Sequence, residues 1–289
     1  MSARARFPLG LPAGPGVLAA MFLYRSLASL LLGLPVALSV APTVAGYPRG
    51  DAVLWDRGGV LLAEAMRRLD ATAEGLGWLT GALALCVTFA GLLPLAALIA
   101  ALGRGPAAPS PAREVLGQAG RRLGTLALML LLTLLAQAAA AFVAVLCARL
   151  LAGALDLGPM ARDLVVAGGA LGGLGLGWAL AIVQDAARVA AVQHDRGLFG
   201  AVGLGIGALR GRPAVALAAF LGRKLLALAV LALAGALAIA IGWPDPTRYA
   251  LVVALQHVAV LAAVLLHASW LGWATARVRG ELAARMGQD

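Results

Sequence analysis

The charged residues of this chain are separated by long uncharged stretches. Six of these stretches hold at least 20 residues each, and they cover residues 26–48, 75–103, 123–148, 164–184, 225–244 and 249–276. A helix needs about 20 mostly apolar residues to cross the hydrocarbon core of a bilayer. The stretches are continuously apolar and do not alternate as the strands of a membrane barrel do. The pattern predicts an all-α membrane protein in which residues 1–289 form one polytopic domain with six transmembrane helices.

The distribution of charge predicts the orientation of these helices. If the N-terminus is inside, the inner segments carry 16 basic and five acidic residues, whereas the outer segments carry seven basic and eight acidic residues. This bias follows the positive-inside rule and predicts that both termini are cytoplasmic. The chain has one Lys against 22 Arg and is rich in Ala, Leu and Gly, which indicates a GC-rich bacterial genome and hence a bacterial inner membrane. Anionic lipid headgroups are sufficient partners for these arginines, so the net charge of +10 does not indicate nucleic acid.

Aromatic residues are expected at the two membrane interfaces, where their rings sit at the headgroup level. The predicted outer boundary carries Tyr47, Trp78, Trp243 and Tyr249, and the predicted inner boundary carries Trp270 and Trp273. The six helices therefore have an aromatic belt on each side.

A weak internal repeat suggests three tandem hairpins, over residues 15–103, 111–192 and 213–277. Each begins with a proline that stands ten residues before a basic residue, in the pairs Pro15 and Arg25, Pro111 and Arg121, Pro213 and Arg223. Proline suits the first turn of a helix, and residues 113–123 have the apolar face of an interfacial helix. We expect each hairpin to be entered by such a helix, although an Arg-rich loop could also match by chance.

Two shorter helices are predicted between the spans. Residues 60–69 place Leu62, Met66 and Leu69 on one face. Residues 198–209 form an apolar stripe that is interleaved with glycines, and the stripe consists of Leu198, Val202, Ile206 and Leu209. So many glycines weaken a helix unless another backbone packs closely against it.

The fourth span is rich in glycine. Small residues recur four positions apart, which lets helix backbones approach closely in lipid; the packing candidates are Gly168, Gly169, Gly172, Gly173 and Gly177. The pattern favours a helix at the centre of its own bundle, and a contact between two copies of the chain is the alternative.

Charged residues cluster where the fourth span ends and the fifth begins. Asp185 and Arg188 are three residues apart and can form an ion pair. Asp185 could instead meet Arg223 or Lys224 at the start of the fifth span. We interpret these four residues as a structural anchor at the cytoplasmic surface rather than as a gate.

Three polar residues inside the spans are candidates for a polar pathway, because polar groups within membranes are enriched at functional sites. They are Gln137 in the third span and His257 and His267 in the sixth. Ten residues of helix correspond to about 280° of rotation and about 15 Å of rise, so the two histidines cannot share a metal ion. No metal site is predicted.

Motifs of known chemistry are absent. The uncharged stretches contain no Asp or Glu that could couple transport to protons or sodium. The sequence also lacks an HExxH, a GxSxG and a Walker motif. No catalytic residue and no cofactor are predicted, and a non-enzymatic protein is favoured, although an enzyme with a diffuse site stays open.

The Gly-Arg-Arg sequence at 120–122, the proline-led segments and Asp185-Ala186-Ala187-Arg188 resemble features of loosely defined bacterial six-helix membrane proteins of unknown function. Some of those proteins resemble the membrane domains fused to glycerophosphodiesterases. The resemblance extends over most of the chain and implies a six-helix membrane fold, but it implies no site residues. The Pro-x-acid-x-x-base signature of mitochondrial carriers is absent, which excludes that family.

Two functional hypotheses follow. The first is a non-enzymatic inner-membrane scaffold or accessory subunit, bound to a membrane-complex partner or to a second copy of itself. The alternative is an uncoupled transporter or permease-like subunit, with a path between the third and sixth spans near Gln137, His257 and His267.

Overall fold

A computed structural model describes residues 14–47, 53–54, 59–104, 112–156, 158–242 and 245–287. Within these ranges the chain forms nine α-helices and no strand. The helices are α1 (Pro15–Val44), α2 (Val60–Ala71), α3 (Ala73–Ala90), α4 (Leu92–Arg104), α5 (Ala112–Ala154), α6 (Pro159–Gln193), α7 (Leu198–Arg210), α8 (Pro213–Ile241) and α9 (Pro246–Met286).

The described part of the chain contains six helical segments that are long and apolar enough to cross a membrane. Five are single helices, namely α1, α5, α6, α8 and α9, and the sixth consists of α3 and α4 in succession. Each contains most or all of one predicted uncharged stretch. The prediction of an all-α fold with six membrane helices is confirmed.

The junction between α3 and α4 is at Gly91, where another helix approaches closely. The hydroxyl of Tyr24 donates a hydrogen bond to the carbonyl of Val87, which also accepts the backbone N–H of Gly91. A Cβ at Gly91 would lie 2.6 Å from the Tyr24 hydroxyl oxygen. A side chain at position 91 would therefore displace the Tyr24 ring from this contact between α1 and the end of α3.

The segments that lead into the first, third and fifth spans differ from the prediction of separate interfacial helices. Each forms one uninterrupted helix with the span that follows, and no proline lies between them. Pro15 and Pro213 are the first residues of α1 and α8, as predicted, whereas Pro111 lies outside the described residues. In α5 the apolar face of this segment packs against protein, since Val115 and Ala119 are buried.

The chain divides into two compact units, and it passes from one to the other within α4, α8 and α9. The first unit contains α5, α6 and α7, with residues 96–104, 213–223 and 268–287 of the shared helices. Its best-buried segment is the end of α6, where every residue from Asp185 to Val192 is buried. The second unit contains α1, α2 and α3, with residues 92–95, 224–241 and 246–267. The three-hairpin repeat stays a prediction.

Both short helices form as predicted. In each, the buried residues differ in part from the apolar face read from the sequence. In α2 the buried residue is Ala65, whereas Met66 is exposed. In α7 the buried residues are Ala201, Leu204, Gly205 and Leu209. Ile206, which belongs to the predicted apolar stripe, is about half exposed.

The rotation of α7 has a physical cause. A Cβ at Gly205 would lie 2.9 Å from the backbone nitrogen of Ala187 on α6. Gly205 therefore faces α6, because only a residue without a side chain allows the two backbones to approach this closely, and the bulkier Ile206 is turned outward. The expectation that glycines of this helix need a close backbone is met at Gly205.

Candidate functional site

The pairing of α5 with α6 depends on glycines spaced four residues apart. A Cβ at Gly169 would lie 2.5 Å from Ala148 Cβ, and one at Gly173 would lie 3.0 Å from Ala141 Cα. One turn further, a Cβ at Gly177 would lie 3.9 Å from the side chain of Gln137. These three glycines form the face of α6 that packs antiparallel against α5.

The other two predicted packing glycines have a different environment. A Cβ at Gly168 or at Gly172 would meet no atom within 4 Å. Their positions are rotated away from the seam with α5, so the prediction of close packing is wrong for these two residues within a single copy of the chain. Of the five glycines, three contact α5 and two face open space.

Polar side chains within the spans of this unit bond to neighbouring helices. Gln137 Nε2 on α5 donates to the carbonyl of Gly177 on α6 at 2.8 Å. Gln184 Nε2 on α6 donates to the carbonyl of Met129 on α5 at 3.4 Å. Unsatisfied backbone and amide groups are costly in lipid, and these bonds satisfy them within the helix pair.

The two histidines of the predicted polar pathway belong to the second unit. His257 Nδ1 lies 2.7 Å from the carbonyl of Val253 on its own helix, and its ring centroid is 5.9 Å from that of Phe22 on α1. His267 is half-buried and is the last residue of the second unit before α9 passes into the first. Gln137 belongs to the first unit. A pathway that includes all three residues stays a prediction.

A buried ion pair lies directly after the uncharged stretch of α6. Asp185 Oδ1 pairs with a terminal nitrogen of Arg188 at 3.1 Å, and both residues are at most 9% exposed. The other carboxylate oxygen, Asp185 Oδ2, accepts a hydrogen bond of 2.9 Å from Trp270 Nε1 on α9. Asp185 therefore joins two helices of the first unit.

The partner that sequence reasoning missed is Trp270. It was predicted to belong to the inner aromatic belt, but it is 1% exposed and packs edge-on against Phe220 and face-to-face against Trp273. Its position near the end of the predicted sixth span is typical of a belt residue, and the sequence holds no signal of its hydrogen bond to Asp185. Tyr47, Trp78 and Tyr249 are exposed, as a belt requires, and Trp243 lies outside the described residues.

The other two anchor residues lie at the unit boundary in α8. Arg223 Nε donates to Ser269 Oγ on α9 at 3.1 Å, and its NH1 donates to the carbonyl of Ala219. Lys224 belongs to the second unit. Arg223 thus contributes a polar link between α8 and α9, at the residue that precedes Trp270.

Beyond Arg188, a ring of polar side chains surrounds the end of α6. Gln118 of α5 donates to the carbonyl of Val192 at 2.8 Å. Gln193 Nε2 donates to the carbonyl of Ile99 on α4 and to Thr275 Oγ1 on α9. Arg122 Nε donates to Asp195 Oδ1 at 2.7 Å. The end of α6 is therefore tied to α4, α5 and α9 by hydrogen bonds.

A cavity of about 360 Å³ opens beside this ring. It is lined by Ala100, Gly103, Arg104, Gln118, Gln193, His194 and Arg279. A second cavity of about 590 Å³ shares Arg104 and is otherwise lined by Arg113, Glu114, Gly117 and Arg121. The two cavities give this end of the first unit a polar concave surface.

His194 is the lining residue that sequence reasoning overlooked. Its Nε2 atom is buried and finds no hydrogen-bond partner among the described residues. Burial lowers the pKa of His194, and the nearby positive charges of Arg279 and Arg196 lower it further. The signal in the sequence was the polar run Gln193-His194-Asp195-Arg196, which directly follows the buried end of α6.

Within the described residues, no group of three or more His, Cys, Asp or Glu side chains is arranged to hold a metal ion. Comparisons of the chain with protein-family models, with curated proteins and with solved structures find no match. The resemblance to six-helix bacterial membrane proteins therefore stays a prediction, and function must be argued from the geometry.

Proposed function

We propose that this protein is a multi-pass protein of the bacterial inner membrane, with both termini in the cytoplasm, and that it acts as a non-enzymatic scaffold or accessory subunit of a membrane complex. The observation that carries the proposal is the use of the polar groups of α5 and α6. Gln137 and Gln184 bond to backbone carbonyls of the facing helix. Because each of these amides bonds one helix to the other, we interpret them as structural groups rather than as ligands of a passing solute.

The packing of α5 and α6 supports the same function. At Gly169 and Gly173 the two helices approach so closely that no side chain fits between them, which leaves no space for a solute along the seam. Further along α6, the Asp185–Arg188 pair and the ring around Gln193 connect this pair to α4 and α9. A rigid, densely bonded unit of this kind suits a protein on which others assemble.

The experiment compares assembly with transport. The tagged chain is extracted from its native membrane into lipid nanodiscs after chemical cross-linking, and its neighbours are identified by mass spectrometry. We expect reproducible cross-links to a membrane-complex partner or to a second copy of the chain. The purified chain alone, in liposomes, should pass small solutes no faster than protein-free liposomes.

A path near Gln137, His257 and His267 is the competing function, and the same preparation tests it. Solute flux through the isolated chain that is abolished by Gln137→Leu, with no cross-linked neighbour in native membranes, would establish a transporter instead. Gln184→Leu is the matched control, because Gln184 makes the same kind of bond between the same two helices.

A further inference from the structure

The cavity beside His194 lies where the apolar part of the first unit ends. Arg104 directly follows the uncharged stretch 75–103, and Arg279 stands three residues after the stretch that ends at 276. Gln118 precedes the third stretch by five residues, and His194 follows the fourth by ten. At 1.5 Å per helical residue these offsets are about 2–15 Å, which corresponds to the headgroup layer outside the hydrocarbon core.

The lining of the cavity has the chemistry of an anion site. Two of its seven residues are arginines, three carry imidazole or carboxamide groups, and none carries a carboxylate. Guanidinium groups present several N–H donors in a fixed plane that matches the oxygens of a phosphate. Both arginines are also held in place by the protein. Arg104 pairs with Glu114 Oε2 at 2.8 Å and bonds to Gln118 Oε1, and Arg279 donates to the carbonyl of Gly103.

Two lining atoms have unused hydrogen-bonding capacity. His194 Nε2 and Gln193 Oε1 are buried, and neither finds a partner among the described residues. Buried polar atoms are satisfied in nearly all native structures, and each exception calls for an explanation such as a bound ligand or water. A phosphate oxygen would accept a hydrogen bond from His194, and a hydroxyl or water carried with the phosphate would donate to Gln193.

We propose that this cavity binds a phosphate group, contributed either by the headgroup of an anionic phospholipid or by a phosphorylated solute from the cytoplasm. The site goes beyond the proposed scaffold function, which requires no ligand. An anion between Arg104 and Arg279 would also compensate the positive charge that now surrounds His194.

The test has one arm for each source of phosphate. In detergent, titration calorimetry measures binding of inorganic phosphate, which stands for the solute. In phosphatidylcholine nanodiscs prepared with and without phosphatidylglycerol, native mass spectrometry counts the anionic lipids that stay on the protein. Binding in either arm supports the site, and the arm in which it occurs identifies the source.

Two variants distinguish binding in this cavity from a general attraction of anions to a basic surface. Arg279→Gln removes a lining guanidinium, and Arg277→Gln removes an equal charge two residues earlier on the same helix, where the guanidinium lies over Trp273 instead. A hydrogen bond to a charged group is worth enough to change affinity by about tenfold or more. We expect at least that weakening for Arg279→Gln and near wild-type binding for Arg277→Gln.

The outcomes that overturn the phosphate site are as follows. No binding of either probe by the wild type, or equal weakening by both variants, would overturn the proposal. If Arg279→Gln does not fold, His194→Leu takes its place and is held to the same criterion, because it removes the buried Nε2 atom and leaves all arginines intact. Arg279→Lys retains the charge and should recover part of the lost affinity.

Discussion

The indole nitrogen of Trp270 donates a hydrogen bond of 2.9 Å to the carboxylate of Asp185, from a side chain that is almost fully buried. Because Arg188 pairs with the other oxygen of the same carboxylate, the charge of Asp185 is both neutralised and hydrogen-bonded. A buried charge is tolerated when it is paired and its remaining hydrogen-bonding positions are satisfied. This contact links α6 to α9 within the first unit.

Trp270→Phe should destabilise the protein, because Asp185 Oδ2 loses its hydrogen-bond donor. The variant keeps an aromatic ring at this position. Hydrogen bonds to charged groups contribute about 1.5–3 kcal/mol, so we expect a loss of that order in the free energy of unfolding, measured by denaturant titration in detergent. Trp273→Phe is the control, since Trp273 stacks on Trp270, whereas the indole that bonds to Asp185 is that of Trp270. Equal losses in the two variants would mean that aromatic packing, and not the hydrogen bond, stabilises this position.

Asp185→Asn should cost more than the double variant Asp185→Asn/Arg188→Gln. The single change leaves the guanidinium of Arg188, which is 9% exposed, without its carboxylate. Removing one partner of a buried pair typically costs about 3–5 kcal/mol, whereas replacing both costs less. Unfolding measurements on the two single variants and the double variant give the coupling energy directly, and a coupling near zero would contradict a structural ion pair.

Leucine substitutions along α6 should separate its two glycine faces. Gly169→Leu and Gly173→Leu force side chains into the seam with α5, and overpacking typically costs about 1–3 kcal/mol. Gly172→Leu is the matched control, because a Cβ there meets no atom within 4 Å. We expect lower thermal stability for the first two variants and wild-type stability for the third.

The same three variants also test for contact between copies. If Gly168 and Gly172 lie against a second copy of the chain, Gly172→Leu should convert an oligomer to a folded monomer in size-exclusion chromatography. Wild-type stability and assembly of Gly169→Leu and Gly173→Leu would refute the seam itself.

Acidification should destabilise the ligand-free protein through His194. Its pKa is lowered in the folded state, mainly by burial, so the unfolded chain binds more protons in the range below the ordinary imidazole pKa of about 6.5. The free energy of unfolding should therefore fall as pH decreases through that value, until the lowered folded-state pKa is passed. His194→Gln should remove this part of the pH dependence, and an unchanged pH profile in that variant would assign the effect to another group.

The helices could be predicted from sequence because a span depends on length and apolarity alone. Their rotation could not, since it depends on which neighbour packs against each face. In α7 the apolar stripe includes Ile206, but the residue that packs closely against α6 is Gly205, and Ile206 is about half exposed. In α2 the buried residue is Ala65, and Met66 is exposed.

The candidate site was predictable only in part. Asp185 and Arg188 are three residues apart on one helix, so their pairing follows from local geometry. The bond from Trp270 to Asp185 joins residues 85 positions apart, and no local pattern encodes it. His194 was missed because its importance comes from a cavity whose lining is contributed by four helices.

Orientation in the membrane underlies both the scaffold proposal and the phosphate site. It is tested by single cysteines placed at Ser2, Thr72, Ser110 and Gln288 after Cys86 and Cys147 are replaced by alanine. Intact cells are treated with a membrane-impermeant thiol reagent, and lysed cells serve as the control for reactivity. The positive-inside arrangement predicts that only the cysteine at position 72 reacts in intact cells and that all four react after lysis. Reaction at position 110 in intact cells would place the arginine-rich end outside and contradict the account.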